Sequence, residues 1–487
     1  MSAGTLLVSK NPGSISTALE DLTAYPAHEV TIAGLQDDKF NVAATPGARA
    51  ARVEDAARRA DFIDRDPSVL IIGAGHCGLF LAARLRHLGI SALVVEAHER
   101  VGDNWRNRYS GLVLHEPKWS SQFPYMMFPD GWPLLTPKDL LADWMEAYVR
   151  FVGLDVWTDS VVEDAVYDEA AGTWSVAIDR DGTRRELIPG HVVFATGNHG
   201  TPATPDVPGI ENFSGSVHHS SQHAGGPDLD GKDLVIVGSG SSALDVAQDA
   251  YEHGANVTVV QRGPTHILSQ RHGIPAFHGA YYSESSPPIE VADLLATSLP
   301  TQLAFNLNPY LTRMIAEADR ELIDGLEEAG FATTLGPNDS GMMHMTFVRG
   351  GGYYIDKGAG QLVVDRKIAV KSSEIDHVTQ TEIVYRDGTA SHADAVVFCT
   401  GYTNMREAAR PILGDQVTDS LATVWGLDGN GELRTTFRHC GHENLWFVAG
   451  GFRDARIHSK HVALMIAAIE GGLLDRKVGE ANKAAEA

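Results

Sequence analysis

The sequence predicts an α/β fold of two Rossmann-like domains, the second inserted into the first and carrying a helical insertion of its own. Three observations predict it. Two glycine-rich turns are present: Gly73-Ala74-Gly75-His76-Cys77-Gly78 reads G-x-G-x-x-G, and Gly238-Ser239-Gly240-Ser241-Ser242-Ala243 reads G-x-G-x-x-A. Each follows an apolar run (Val69 to Ile72; Leu234 to Val237) and opens a helix-like stretch (Leu79 to Leu88; Leu244 to His253). Beyond the second unit, a strand-like run from Leu445 to Gly451 and a helix pattern from His461 to Gly472 return the chain to the first domain.

In such a turn the first glycine takes the tight bend and the second lets backbone approach a pyrophosphate. The third, or a small Ala, packs helix on strand, and the helix N-terminus faces the phosphates. Two of them imply two dinucleotides, whose usual relation is electron transfer. The ends of the two second strands differ chemically. Glu96 follows Ala92-Leu93-Val94-Val95, where a carboxylate accepts ribose hydroxyls and repels a 2′-phosphate. Gln261-Arg262 follows Val257-Thr258-Val259-Val260, and a guanidinium suits a 2′-phosphate. Gly73, Gly75, Gly78 and Glu96 are therefore assigned to FAD, and Gly238, Gly240, Ser241, Ser242 and Arg262 to NADPH. The plainer alternative for Arg262 is a solvated charge at a strand end.

Length and composition bound the rest. A chain of 487 residues holds two or three domains, and 43% hydrophobic with 21% charged residues is ordinary globular composition. The net charge of −24 argues against nucleic acid or an anionic membrane as partner. Cys77, Cys399 and Cys440 form no C-x-x-C, so no redox dithiol or zinc knuckle is expected. No secretory signal and no membrane span is read from the sequence, so the expected location is the cytoplasm.

The expected organisation runs in chain order. Residues 1–65 are an N-terminal arm ending in a charged helix-like stretch from Ala48 to Asp61. Residues 66–200 are the first part of the FAD domain, closed by the strand and turn His191 to Gly197 and followed by the proline-rich linker Thr201 to Gly209. Residues 201–394 are the NADPH domain, with helices expected at Ile289 to Ala296 and Pro309 to Ala329 in an insertion at about 285–332. Gly350 to Gly358 reads as a flexible aromatic loop bordering the nicotinamide or substrate, or as plain surface. Residues 395–480 are the second part of the FAD domain, beginning with Ala395 to Tyr402, and 481–487 are a polar tail.

This ordered set of motifs resembles the class B flavoprotein monooxygenases: flavin-containing monooxygenases, YUCCA enzymes and Baeyer–Villiger monooxygenases. Phe213, Gly215 and His219 match the family's F-x-G-x-x-x-H, with His223 standing where the family has an aromatic. Gly102-Asp103-Asn104-Trp105-Arg106 matches its G-G/T-x-W-R region. Phe194-Ala195-Thr196-Gly197 and Cys399-Thr400-Gly401-Tyr402 match its two ATG-type linkers, and Leu114-His115-Glu116-Pro117-Lys118 is similar to the YUCCA L-H-x-P-K.

The resemblance implies that Asn104, Trp105, Arg106, His115, Val162, Thr196, Gly197, Thr400 and Gly401 join the cofactor sites. It also implies that His115, Lys118 and Trp119 lie near the flavin ring, and that His219 couples the hinge to cofactor position. The alternative for His219 is a structural loop histidine. Trp119, Tyr125 and Trp132 read equally as core aromatics. His219 and His223 are spaced H-x-x-x-H, but no Glu lies between them and no stable helix is expected there, so no metal is assigned. The implied chemistry is oxygen insertion into a small organic molecule: NADPH reduces FAD, O₂ adds as a C4a-(hydro)peroxide, and an N- or S-nucleophile or heterocycle takes one oxygen atom. A Baeyer–Villiger or YUCCA-like oxidation of a ketone or 2-oxo acid is the rival, and an NADPH oxidase or flavin reductase component the second. A homodimer is expected from the family.

Overall fold

Two five-stranded parallel sheets organise the chain in a computed structural model that describes residues 60–476. The first sheet runs Leu445–Phe447, His191–Phe194, Val69–Ile72, Ala92–Val95, Asp155–Trp157, with every neighbouring pair parallel. The second runs Ser216–His219, Ala395–Phe398, Asp233–Val237, Asn256–Val260, Ile368–Lys371, again all parallel. The central strands are short unbroken runs of Val, Ile, Leu and Phe because helices and other elements cover both their faces; Val69–Ile72, His191–Phe194 and Ala395–Phe398 are buried at every position. The sheet order confirms the return of the chain: Leu445–Phe447 pairs with His191–Phe194 after the second sheet has been built.

The strand Ala395–Phe398 corrects one expected boundary. It was assigned to the returning part of the first domain, but it lies inside the second sheet, paired to Asp233–Val237 on one side and Ser216–His219 on the other. Its Phe-x-Thr-Gly ending echoes that of His191–Phe194 because the two strands hold equivalent places in their two sheets, one beside each glycine-turn strand. Similar sequence therefore marked a repeated position, not a shared sheet.

Helices His76–His87 and Ser241–Glu252 follow the two turns, and the C-terminal helix Phe452–Glu470 packs on the first of them. In the insertion, Ile289–Ala296 is a helix as expected, but the second expected helix is two: Thr301–Ala318 and Arg320–Glu328, broken at Asp319. At the break the Asp319 N–H still donates to Ile315 O and its carbonyl accepts from Ile323 N, while its carboxylate accepts from Ser269 N at 2.6 Å and faces His272 Nδ1 at 2.6 Å. A second correction concerns Gly350 to Gly358. Tyr353–Asp356 is a strand, parallel to His266–Ser269, and Tyr354 is fully buried. The glycines on either side suggested a loop, while the β-prone Tyr-Tyr-Ile core set the outcome.

The insertion is bolted down by one buried ion pair. Arg456, on the C-terminal helix, forks onto both carboxylate oxygens of Asp293 at 2.6 and 2.9 Å and also donates to the carbonyls of Ser120 and Gln122. Tyr282 donates to the same Asp293 carboxylate at 2.9 Å. A three-stranded antiparallel sheet, Ser160–Asp168, Thr173–Arg180 and Thr183–Leu187, completes the first half of the chain. Most of the expected N-terminal arm (1–59) and the tail lie outside the described residues.

Candidate functional site

The two glycine turns have the same internal geometry. Gly73 and Gly238 sit at φ +108° and +127°, a region closed to side chains, and a Cβ on either would lie 2.7 Å from Ala195 O or 2.5 Å from Cys399 O. The third positions pack equally tightly. A Cβ on Gly78 would lie 2.2 Å from Gly73 O, and Ala243 is fully buried. The second glycines differ in kind. Beside Gly75 the nearest atom to an added Cβ is 4.0 Å away, and beside Gly240 it is 3.6 Å. Among the described residues nothing crowds a side chain at those two positions, where an added Cβ would make only ordinary contacts, and close approach of a pyrophosphate is what a glycine there would permit. Neither Gly75 nor Gly240 has a side-chain cap, which leaves each helix start free to meet an anionic ligand. The residues present thus fit two dinucleotides.

The strand ends separate the two turns. Glu96 Oε2 accepts from Ala74 N at 2.8 Å, and Oε1 accepts from His98 N at 2.9 Å and meets His98 Nδ1 at 2.5 Å. Burial alone would raise its pKa, but the bonds from His98 and Ala74 outweigh it and hold the carboxylate below its ordinary range. The same pairing raises His98 above the usual histidine value. Gln261 instead turns inward, donating to Ala332 O at 3.0 Å and accepting from Ala332 N at 2.7 Å. Arg262 is left exposed beside the turn.

His219 is buried at the end of its strand. Its Nδ1 accepts from Ser221 N at 3.2 Å, so Nε2 carries the proton and donates to Gly401 O at 3.0 Å. Burial lowers its pKa and keeps this neutral tautomer. Gly401 O also accepts from Ala203 N at 3.0 Å, and Thr400 Oγ1 donates to Ala203 O at 2.6 Å. Gly401 O is thus shared between His219 and the Ala203 N–H of the proline-rich linker. His223, unpartnered at Nε2, stacks on His218 at 5.4 Å between ring centroids, and burial pushes its pKa down to about 4.

The sequence reading passed over the residue that joins the two halves. Asp245, buried on the helix of the second turn, accepts from Tyr109 OH at 2.6 Å, pairs with Lys357 Nζ at 3.2 Å, and lies 3.4 Å from His115 Nε2. Burial opposes its charge, but His115, Lys357 and Tyr109 together hold its pKa below the ordinary carboxylate value. Its signal in the sequence was faint: an acidic residue one helical turn inside a helix whose neighbours Leu244, Val246 and Ala247 are all apolar and buried. His115 therefore lies beside the helix that follows the second turn. Among the described residues, Trp105 Nε1, Glu116 Oε2 and Asp245 Oδ1 are buried without a hydrogen-bond partner, as groups awaiting a ligand are. Burial raises the Glu116 carboxyl.

Other expected site residues are engaged elsewhere. Lys118 Nζ donates to Asp130 O at 2.5 Å and Trp132 O at 3.0 Å, which makes it a clamp on its own loop. Arg106 is held by Val101 O, Asp103 and Asp143 at 2.9–3.0 Å, and Glu146 lies at 3.1 Å. Asn104 and Thr196 are exposed, Gly197 takes a positive φ of 76°, and Ser241 donates to Tyr353 O at 3.0 Å. Ser242 follows it at the start of the same helix. Val162 is a core residue opposite Ile178, next to the bulge that shifts register before Asp164. Two further residues of the first turn matter. His76 Nε2 meets Gly450 O at 2.9 Å and stacks on Phe452, and Cys77 Sγ points at the same carbonyl, so the returning chain closes over this turn.

The pyridine nucleotide-disulphide oxidoreductase family model matches residues 70–272. Indole-3-pyruvate monooxygenase YUCCA1 of Oryza sativa subsp. japonica is 29% identical over 338 residues, covering 69% of this chain and 77% of the relative. The probable indole-3-pyruvate monooxygenase YUCCA9 of Arabidopsis thaliana is 30% identical over 340 residues, covering 68% and 74%. Cyclohexanone monooxygenase from Rhodococcus sp. Phi1, solved with NADP⁺, shares the fold at a TM-score of 0.62 and 18% identity, over 86% of this chain and 87% of that one. The chain belongs to the class B flavoprotein monooxygenases. The cofactors are those of that family, FAD and NADPH.

Proposed function

We propose that the first sheet and turn bind FAD, that the second, inserted between the two parts of the first domain, binds NADPH, and that the protein uses O₂ to place one oxygen atom in a small organic substrate. The observation that carries this reading is the pair of turns, each with an uncrowded second glycine at an uncapped helix start and each with a different strand-end residue. Bound FAD would take a hydride from NADPH and supply the activation of O₂.

The chain's own part is to bind, orient and exclude water. Gly73, Gly75, Gly78 and Glu96 would hold the flavin dinucleotide, and Gly238, Gly240, Ser241, Ser242 and Arg262 the pyridine one. His219 fixes the Thr400-Gly401 turn, and Asp245 holds His115 and Lys357 beside the second helix. With Glu96 ionised near the first turn, a 2′-phosphate is repelled there, which keeps the two ligands in their own sites. The helical insertion is anchored by Arg456 on Asp293.

Two relatives named as indole-3-pyruvate monooxygenases favour a 2-oxo acid substrate over an N- or S-nucleophile, and the L-H-x-P-K segment supports the same choice. Product analysis under ¹⁸O₂ with a panel of 2-oxo acids, ketones, amines and sulfides tests this. The expected result is a carboxylic acid one carbon shorter than its 2-oxo acid, labelled with one ¹⁸O. N-oxide or sulfoxide products with unreactive 2-oxo acids would move the assignment to heteroatom oxidation. Stoichiometric peroxide with every compound would make it an oxidase component.

A further inference from the structure

Glu116, His278 and Arg453 come together from three separate stretches of the chain, and neither glycine turn uses them. Glu116 lies on the strand Val113–Pro117 and brings Oε1 to 3.1 Å from where a Cβ on Gly451 would stand. Its other oxygen, Oε2, is buried with no partner among the described residues. Arg453 lies two residues beyond Gly451, in the first turn of the C-terminal helix. It commits Nε and Nη2 to a single oxygen of its neighbour Asp454, at 3.3 and 3.2 Å. Its Nη1 has no partner among the described residues. His278 ends the helix Gln270–His278, which packs on the strand of Glu116. Its Nδ1 is buried and unpartnered among the same residues, and the charges of Arg453 and Asp454 both bear on the ring.

Burial sets the charge states of this cluster. It pushes His278 down to about 4, so the ring is neutral at pH 7, and it raises the Glu116 carboxyl toward the neutral, donating form. Asp454 is matched by Arg453. What remains is one guanidinium edge and two hydrogen-bonding groups without partners, an arrangement that is destabilising until a ligand completes it. A free guanidinium edge suits a planar oxyanion. The phosphates of the two dinucleotides are assigned to the turns, so this anion belongs to a third ligand. On the reading of the substrate as a 2-oxo acid, we propose that Arg453 binds the substrate carboxylate through Nη1, with Glu116 Oε2 and His278 Nδ1 completing the hydrogen bonds of the 2-oxo-acid head. Arg453 is then the residue that favours an acid over an uncharged ketone. The chain as a whole carries a net charge of −24 and repels anions, so that preference has to come from a local cation.

The test compares phenylpyruvate with its uncharged methyl ester on the full-length, FAD-loaded protein with NADP⁺ present. Kd is read from the change in flavin absorbance on titration, and KM and kcat from turnover with NADPH. The wild type should bind the acid more tightly than the ester. Arg453→Gln should raise Kd and KM for the acid about 10- to 100-fold and move those for the ester less than about threefold. Arg453→Lys keeps the charge without the fork and should fall between; it carries the comparison if the Gln variant comes without flavin. Equal weakening of acid and ester, or acid binding unchanged in both variants, overturns the proposal and leaves the 2-oxo-acid reading standing. A wild type that oxidises amines or sulfides and binds neither phenylpyruvate nor its ester overturns that reading, and the proposal with it.

Discussion

The two glycine turns share a skeleton and part company at their edges. In both, the first glycine bends under a carbonyl of the neighbouring strand end, Ala195 or Cys399, and the second glycine is uncrowded. At the first turn, Glu96 reaches back onto the turn itself, and the returning chain closes over it through Gly450. At the second, Gln261 withdraws into the fold and leaves Arg262 exposed, while Asp245 reaches across to His115 and Tyr109 from the other half of the chain. On the proposed reading, backbone geometry admits a dinucleotide and the side chains at the strand end choose which one, while Asp245 links the second helix to Tyr109 and His115.

The comparison breaks most visibly at the second glycines. Gly75→Leu should remove the flavin absorbance altogether. Gly240→Leu should keep the flavin and abolish NADPH oxidation, each being read on protein with an unchanged far-ultraviolet dichroism spectrum. Loss of flavin from both variants would mean that the turns are not independent. The next largest effect is expected at the bridge between halves. Asp245→Ala leaves Lys357 and Tyr109 without their buried partner, and should cost roughly 3 kcal/mol in denaturant unfolding. The flavin should stay bound while NADPH oxidation becomes poorly coupled to product. A variant as stable as the wild type would show that this network holds nothing together.

The smallest expected effect sharpens the first site. His98 gains its partner Glu96 on folding, and its pKa is raised above the ordinary histidine value. The stabilisation is therefore complete below about pH 6.5 and is lost as pH rises through the raised value. Melting temperatures of wild type and His98→Ala should differ at pH 6 and converge at alkaline pH. Because His98 is half exposed, the difference is small. A gap that widens with pH would contradict the pairing.

Much of the fold was legible because glycine turns and buried parallel strands are local patterns: a positive φ at Gly73 and a Val-Ile run need no knowledge of distant chain. What escaped the sequence depended on partners far away. Ala395–Phe398 could not be assigned to the right sheet, since its sequence fits either one. Lys118 carried a family motif, yet its ammonium is taken by carbonyls of its own loop. Asp245 is 136 residues from Tyr109, and no spacing rule connects them. His219 bonds to Gly401 across 182 residues, a contact that fits either a hinge or a structural loop histidine and that no spacing rule supplies.

The central claim is that the two turns take different dinucleotides because of their strand ends. It is tested most directly by the ratio of kcat/KM for NADPH to that for NADH, measured in wild type and in Arg262→Ala. The account predicts a wild-type preference for NADPH that falls by about 10- to 100-fold in the variant, the worth of a charge-assisted bond to a 2′-phosphate, with NADH kinetics nearly unchanged. An equal loss with both nucleotides, or no loss with either, would contradict it.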